Sequence, residues 1–117
     1  MALSVLIVDD SPQFRDAAAE LLAALGIDVL AAAADADQAL AAAQQRPDGV
    51  LLDVNLPGQD GFAVAKVLAA AWPGVKIVLT SASVDHVPDD LLRASAAIAF
   101  VPKERLAGVD LEELFTP

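Results

Sequence analysis

The sequence predicts an α/β domain in which a five-stranded parallel sheet lies between two layers of helices, a three-layer α/β/α sandwich. Three observations carry this. Short runs rich in Val, Leu and Ile recur between alanine-rich stretches of helical period. Those runs are apolar throughout, without the period-two alternation of a sheet that faces water on one side. Most of them stop abruptly on a polar residue, followed by a turn or capping signal. A chain of 117 residues suits one such domain, so residues 1–117 are read as a single unit.

Leu3 to Val8 form the first run, which ends at Asp9-Asp10; Ser11 then supplies an N-cap and Pro12 the first helical position. Phe14, Ala18, Leu21, Leu22 and Leu25 share the inner face of that helix, and Gly26 stops it. Ile27 to Ala32 make the second strand. Asp35 and Gln38 form a capping box for an alanine-rich helix that ends before Pro47. Gly49 to Leu52 are the third strand, ended by Asp53, and Asn55-Leu56-Pro57-Gly58-Gln59 break regular structure as a loop.

Val64, Val67, Leu68 and Ala71 line a third helix, stopped by Trp72-Pro73-Gly74, with the Trp72 ring beside the helix end. Val75 to Leu79 lead into Thr80. A helix begins near Pro88 and runs through Leu91 and Leu92, and Ile98 to Val101 are a short fifth strand closed by Pro102 and Lys103. Asp110, with Glu113 at the capping-box position, opens a last helix of about two turns whose Leu111, Leu114 and Phe115 face the sheet. His86, the lone histidine, falls in an exposed loop.

Composition narrows the function classes. With 56% hydrophobic and 21% charged residues the chain has ample material for a core, which argues against disorder. Alanine accounts for 26 residues, so the helices should sit close to the sheet, which supplies the bulk. A net charge of −10, from seven basic and seventeen acidic residues, argues against direct nucleic-acid binding and against an anionic membrane surface. The absence of cysteine removes disulfide scaffolds, thiol catalysis and cysteine metal sites. No apolar run reaches the ~18 residues of a membrane span, and Met1-Ala-Leu-Ser lacks a basic signal-peptide start, so the expected compartment is the cytoplasm.

In parallel sheets of this kind ligands bind beyond the carboxyl ends of the strands, where Asp9, Asp10, Asp53, Thr80 and Lys103 fall. Each alone has an ordinary structural reading: a capping aspartate, a β-branched strand end, a solvated surface lysine. Together they do not. If the first and third strands are neighbours, carboxylates ~4 to 5 Å apart repel by roughly 3 to 4 kcal/mol at an effective dielectric near 20, so a cation belongs among them. Hard oxygen ligands without His or Cys select Mg²⁺ or Mn²⁺. A metal there would shield a phosphoryl oxygen and allow one carboxylate to attack phosphorus, while Lys103 neutralises a second oxygen and the Thr80 hydroxyl donates to a third.

These segments resemble the receiver domain of bacterial two-component response regulators over nearly the whole chain. Val-Leu-Ile-Val-Asp9-Asp10-Ser-Pro resembles the acidic pair after the first strand, and Leu-Leu-Asp53-Val-Asn-Leu-Pro-Gly-Gln-Asp-Gly-Phe the phosphoacceptor segment. Val-Leu-Thr80-Ser-Ala is similar to the switch hydroxyl segment, and Phe100 stands three residues before Lys103, where the family carries its switch aromatic. The alanine content and the Phe-Val-Pro-Lys ending resemble short single-domain receivers of actinobacteria.

The resemblance implies a flavodoxin-like sheet of strand order 2-1-3-4-5 and a signalling module that promotes only its own phosphorylation and dephosphorylation. It implies that Asp53 takes a phosphoryl group from a sensor histidine kinase or phosphotransfer protein. Asp10 and Asp53 would hold Mg²⁺ (or Mn²⁺) by their carboxylates, Asn55 by its backbone carbonyl and Asp9 through water. Thr80 and Phe100 would then move and present a new surface to a downstream protein or output domain. Two features depart from the pattern. Pro102 precedes Lys103 and Glu104 follows it, whereas receivers usually place proline after the lysine with a cis bond between them. The last helix is short, which weakens the usual dimer face and predicts a monomer or weak dimer. Two other readings are a receiver fold used only as an interaction scaffold, and a small Mg²⁺-dependent phosphatase with an aspartyl nucleophile. The latter usually carries Asp-x-Asp rather than an adjacent pair.

Overall fold

The computed structural model describes residues 2–117. In chain order the elements are β1 (Ser4–Val8), α1 (Pro12–Ala24), β2 (Asp28–Ala33), α2 (Ala36–Ala43), β3 (Gly49–Asp53), β4 (Asn55–Leu56), β5 (Gln59–Asp60), α3 (Gly61–Ala71), β6 (Lys76–Ser81), α4 (Asp89–Ala94), β7 (Ala99–Pro102), a 3₁₀ helix (Lys103–Gly108) and α5 (Leu111–Phe115). The main sheet runs β2-β1-β3-β6-β7 with all pairs parallel. With the small β4–β5 hairpin set aside, this is the expected 2-1-3-4-5 order.

Both faces of the sheet are covered, which explains the unbroken apolar runs. Alternate residues of β1 go to opposite sides: Leu6 and Val8 join a core with Ala36, Ala39, Ala43, Val64, Ala65 and Leu68 of α2 and α3. Val5 and Ile7 join Ala18 and Leu22 of α1 and Leu111 and Phe115 of α5. The small buried alanines let α2 approach the sheet, as the composition predicts. Helix ends follow their local signals. Ser11 Oγ accepts from Phe14 N–H (3.2 Å), Asp35 Oδ1 from Gln38 N–H (2.9 Å) and Asp110 Oδ1 from Glu113 N–H (3.0 Å). Gly26 takes φ +78° after the last turn of α1, as a C′ glycine does. Gln38 reaches back to the N–H of Ala34 rather than Asp35, so the box closes one residue early.

Several expectations are corrected. Leu25 and Val67 are 39% and 52% exposed, and Ala71 is also exposed, because the sheet covers a narrower stripe of α1 and α3 than the apolar spacing suggests. In α3 the inner positions are Val64, Ala65 and Leu68. Leu91 is 41% exposed and Leu92 half-buried, so α4 buries no residue fully. The Asn55–Gln59 loop is a tight antiparallel hairpin with Asn55 opposite Asp60. The last helix is only five residues long, and the chain before it, to which the sequence assigned no element, forms the 3₁₀ helix. His86 is exposed, and Trp72 caps α3 with its side chain half-buried against the core. No helix among the described residues is long and apolar enough to cross a membrane. All their peptide bonds are trans, including those flanking Lys103.

Candidate functional site

Strand register brings the polar strand ends together. Val8 pairs with Leu52, so Asp9 and Asp53 lie side by side at the ends of β1 and β3; Asp53 pairs with Thr80, and Ser81 with Pro102, one residue before Lys103. The residues expected at the site therefore converge from four parallel strands. One carboxylate oxygen from each of Asp9, Asp10 and Asp53 lies within 4.8 Å of the others, with Asp9 and Asp53 buried and Asp10 exposed.

Each buried carboxylate is held by a turn of its own. Asp9 Oδ1 accepts from Ser11 N–H (2.8 Å) and Asp53 Oδ1 from Asn55 N–H (2.9 Å), the same two-residue loop-back after two different strands. Their other oxygens face one cation: Lys103 Nζ stands 2.8 Å from Asp9 Oδ2 and 3.4 Å from Asp53 Oδ2. The ammonium makes an ion pair with Asp9, although among the described residues Oδ2 has no aligned hydrogen bond. The Thr80 hydroxyl is fully buried and has no hydrogen-bond partner among the described residues. A native core rarely leaves such a group unsatisfied unless something else is to meet it.

The electrostatics follow from this geometry. Burial raises the pKa of Asp53 above the usual carboxylate value; the Asn55 N–H opposes this, the Asp9 charge adds to it and Lys103 reduces it, leaving a net rise. Burial alone would discharge Lys103, but its contact with Asp9 and the charges of Asp53 and Asp9 outweigh that and raise its pKa. The two shifts are compatible: Lys103 gains from both carboxylates, while Asp53 gains from one lysine and loses to burial and to Asp9.

An all-oxygen donor set of three converging carboxylates fits a hard divalent cation of the Mg²⁺ kind. Asp10→Asn is expected to remove most of the Mg²⁺-induced rise in melting temperature, a rise worth about 2.7 kcal/mol at roughly a hundredfold excess over Kd. Without metal it should melt slightly higher than wild type, because one repelling charge is gone from an exposed position. Thermal melts with EDTA and with MgCl₂ check both, and a mutant that keeps the Mg²⁺ response would take Asp10 out of the site.

Sequence reasoning missed several supporting residues. Arg15 Nη1 donates to the Asp9 carbonyl (2.7 Å) and so ties α1 to the end of β1. Asn55 Nδ2 donates to Ser83 Oγ (2.8 Å) and Ser81 Oγ (3.2 Å), joining the loops after β3 and β6. Gly61 sits where a Cβ would run into the Asp53 carbonyl and the Val54 backbone, so only glycine lets α3 start against the site. The only sequence signals for these contacts were the Thr-Ser-Ala-Ser stretch and a glycine directly after Asp60. Phe100, which the sequence did single out, is half-buried against the core, beside Leu79 in register and one step from Thr80.

Comparison with known proteins decides the family. The family model described as "Response regulator receiver domain" matches residues 5–108. The chain belongs to this family. It is 40% identical over 115 residues to the DNA-binding response regulator MtrA of Mycolicibacterium smegmatis, covering 93% of this receiver and 50% of that protein. It is 32% identical over 114 residues to a protein-glutamate methylesterase/protein-glutamine glutaminase of Archaeoglobus fulgidus, covering 96% of the receiver and 33% of the relative. The chain thus spans half or less of the length of these relatives, whose DNA-binding and esterase names describe the longer proteins. Among solved structures the receiver superposes on Vibrio cholerae chemotaxis protein CheY4 with TM-score 0.85 at 28% identity, covering 97% of both chains. The response regulator domain of Thermotoga maritima CheB shares the fold at TM-score 0.81 and 20% identity, covering 97% of this chain and 94% of that one.

Proposed function

We propose that residues 1–117 act as a phosphoacceptor module in which Asp53 takes a phosphoryl group from a phosphohistidine on a sensor kinase or phosphotransfer protein. An Asp53 carboxylate oxygen forms the new bond to phosphorus as the bond to the imidazole nitrogen breaks, and the imidazole leaves with the electron pair and takes up a proton. Asp10 and Asp53 would hold Mg²⁺ with the Asn55 main-chain carbonyl, Asp9 acting through water; when bound, the ion draws charge from a phosphoryl oxygen. Lys103, already between Asp9 and Asp53, neutralises a second oxygen.

The observation that carries the reading is the buried, unpartnered Thr80 hydroxyl in register with Asp53, a donor with nothing yet to bind. Meeting a phosphoryl oxygen would move Thr80, and Phe100 with it, toward the site. The helix between them in the chain suits such a change, since α4 buries no residue fully and has little packing to lose. The resulting surface would signal to a downstream protein or output domain, with the receiver itself a cytoplasmic monomer or weak dimer that binds no nucleic acid directly.

Acetyl phosphate with Mg²⁺ tests this. Intact mass spectrometry should record a gain of one phosphoryl group that is lost in Asp53→Asn. An unchanged gain in that variant would move the acceptor elsewhere. Continuous release of phosphate from unrelated phosphate esters would indicate a phosphatase, and no gain at all would indicate a scaffold.

A further inference from the structure

We propose that Phe14 is a positioning residue whose ring face holds the Lys103 ammonium against Asp9 and Asp53. For its consequence on rate, the inference rests on the phosphoacceptor reading above; the contact itself stands apart from that reading. Lys103 opens the 3₁₀ helix after the last sheet strand, and its flexible four-carbon stem leaves the charge free to occupy many places. Three contacts select one place. Asp9 and Asp53 draw the ammonium from the strand ends, and the Phe14 ring centroid lies 4.2 Å from Nζ.

The ring is a firm partner. The Phe14 backbone N–H donates to Ser11 Oγ, the N-cap that starts α1, and its half-buried side chain packs against the core on that side of the sheet. Arg15, the next residue, is bonded to the Asp9 carbonyl, so the turn of helix carrying Phe14 is tied to the carboxylate that Lys103 must meet. A cation within ~6 Å of an aromatic face is drawn to its negative quadrupole, more strongly as water is excluded. The Lys103 side chain is only 18% exposed.

The physical consequence is preorganisation. An aliphatic residue in place of Phe14 would fill the same space but offer no negative face, and the ammonium would gain freedom to swing toward solvent. A donor group fixed before the reaction costs no reorganisation when phosphoryl charge arrives. Sequence spacing alone could not show this pairing, since 89 positions separate the two residues.

The test compares Phe14→Leu with Phe14→Tyr. Lysine is scarce here, with only Lys66 and Lys76 besides Lys103, so the ε-methylene signals are readily told apart, and Lys103→Arg assigns the one that vanishes. In the metal-free wild type the Lys103 signal is expected upfield from the ring current. It should join the other lysines in Phe14→Leu and stay upfield in Phe14→Tyr. With acetyl phosphate and Mg²⁺, the phosphorylation rate should fall about fivefold in Phe14→Leu and recover in Phe14→Tyr. If Phe14→Leu does not fold, Phe14→Met takes its place. An unshifted wild-type signal, a wild-type rate in Phe14→Leu, or equal slowing in the Tyr variant would overturn the proposal. A wild type that accepts no phosphoryl group would remove the Asp53 reading, and the ring-current comparison would then decide the contact alone.

Discussion

Lys103→Met is expected to destabilise the metal-free protein by about 2 to 4 kcal/mol, a melting temperature lower by roughly 10 °C for a domain of this size. Among the described residues Lys103 is the one cation paired with Asp9 and Asp53, whose side chains are 0% and 7% exposed. Removing it leaves two neighbouring buried carboxylates to repel, which costs more than the intact pair contributes. The partial exposure of the lysine keeps the figure below that of a fully buried pair. Asp9→Asn in the same chain should restore most of the loss, because it removes the repulsion.

The pH dependence fixes the sign. Asp53 has a folded pKa above its unfolded value, so the folded protein binds more protons between the two, and stability falls as pH rises through that window. Removing Lys103 widens the window, so the deficit is largest above the folded pKa and shrinks on acidification. Lys103 has the same sign in a higher pH window. Its pairing stabilises the wild type fully below the ordinary lysine value of 10.5 and is lost as pH rises through the raised folded value, a loss the Met variant cannot show. Thermal melts in EDTA across pH check both limbs, and a variant that melts like wild type at neutral pH would mean that Lys103 is not paired with the carboxylates.

Phe115→Ala is expected to cost about 3 to 5 kcal/mol, as large as truncations in the centre of a core, although only Thr116 and Pro117 follow it in the sequence. Phe115 is fully buried, from a helix of only five residues that has little stability by itself. Its ring occupies the space beside Gly49 at the start of β3, where a Cβ would collide with it and come within 3.0 Å of the Lys76 carbonyl. Gly49→Ala should therefore also destabilise, and less so when Phe115 is already Leu, since the smaller side chain leaves room. Urea unfolding of the single and double variants measures this. A Phe115→Ala loss below about 1 kcal/mol would show that α5 is not anchored by its aromatic.

Local chemistry determined much of this protein before any coordinates. Ser11-Pro12, Asp35 and Asp110 each cap the helix they announce, because a capping hydrogen bond needs only a neighbouring N–H. The unbroken runs ending at Asp9, Asp53 and Thr80 required a sheet buried on both faces, and that arrangement puts their ends on one edge. What depends on distant partners was not legible. Leu25, Val67 and Leu91 follow helical spacing as well as Leu22 and Leu68 do, yet which of them the sheet covers depends on how far each helix lies across it. The 3₁₀ helix after Lys103 and the hairpin after Asp53 are too short to have a period, and tertiary packing decides them. The placement of the Lys103 charge is likewise a tertiary matter: a flexible stem takes its position from Asp9, Asp53 and Phe14, which the chain brings together only once α1 has packed on the sheet.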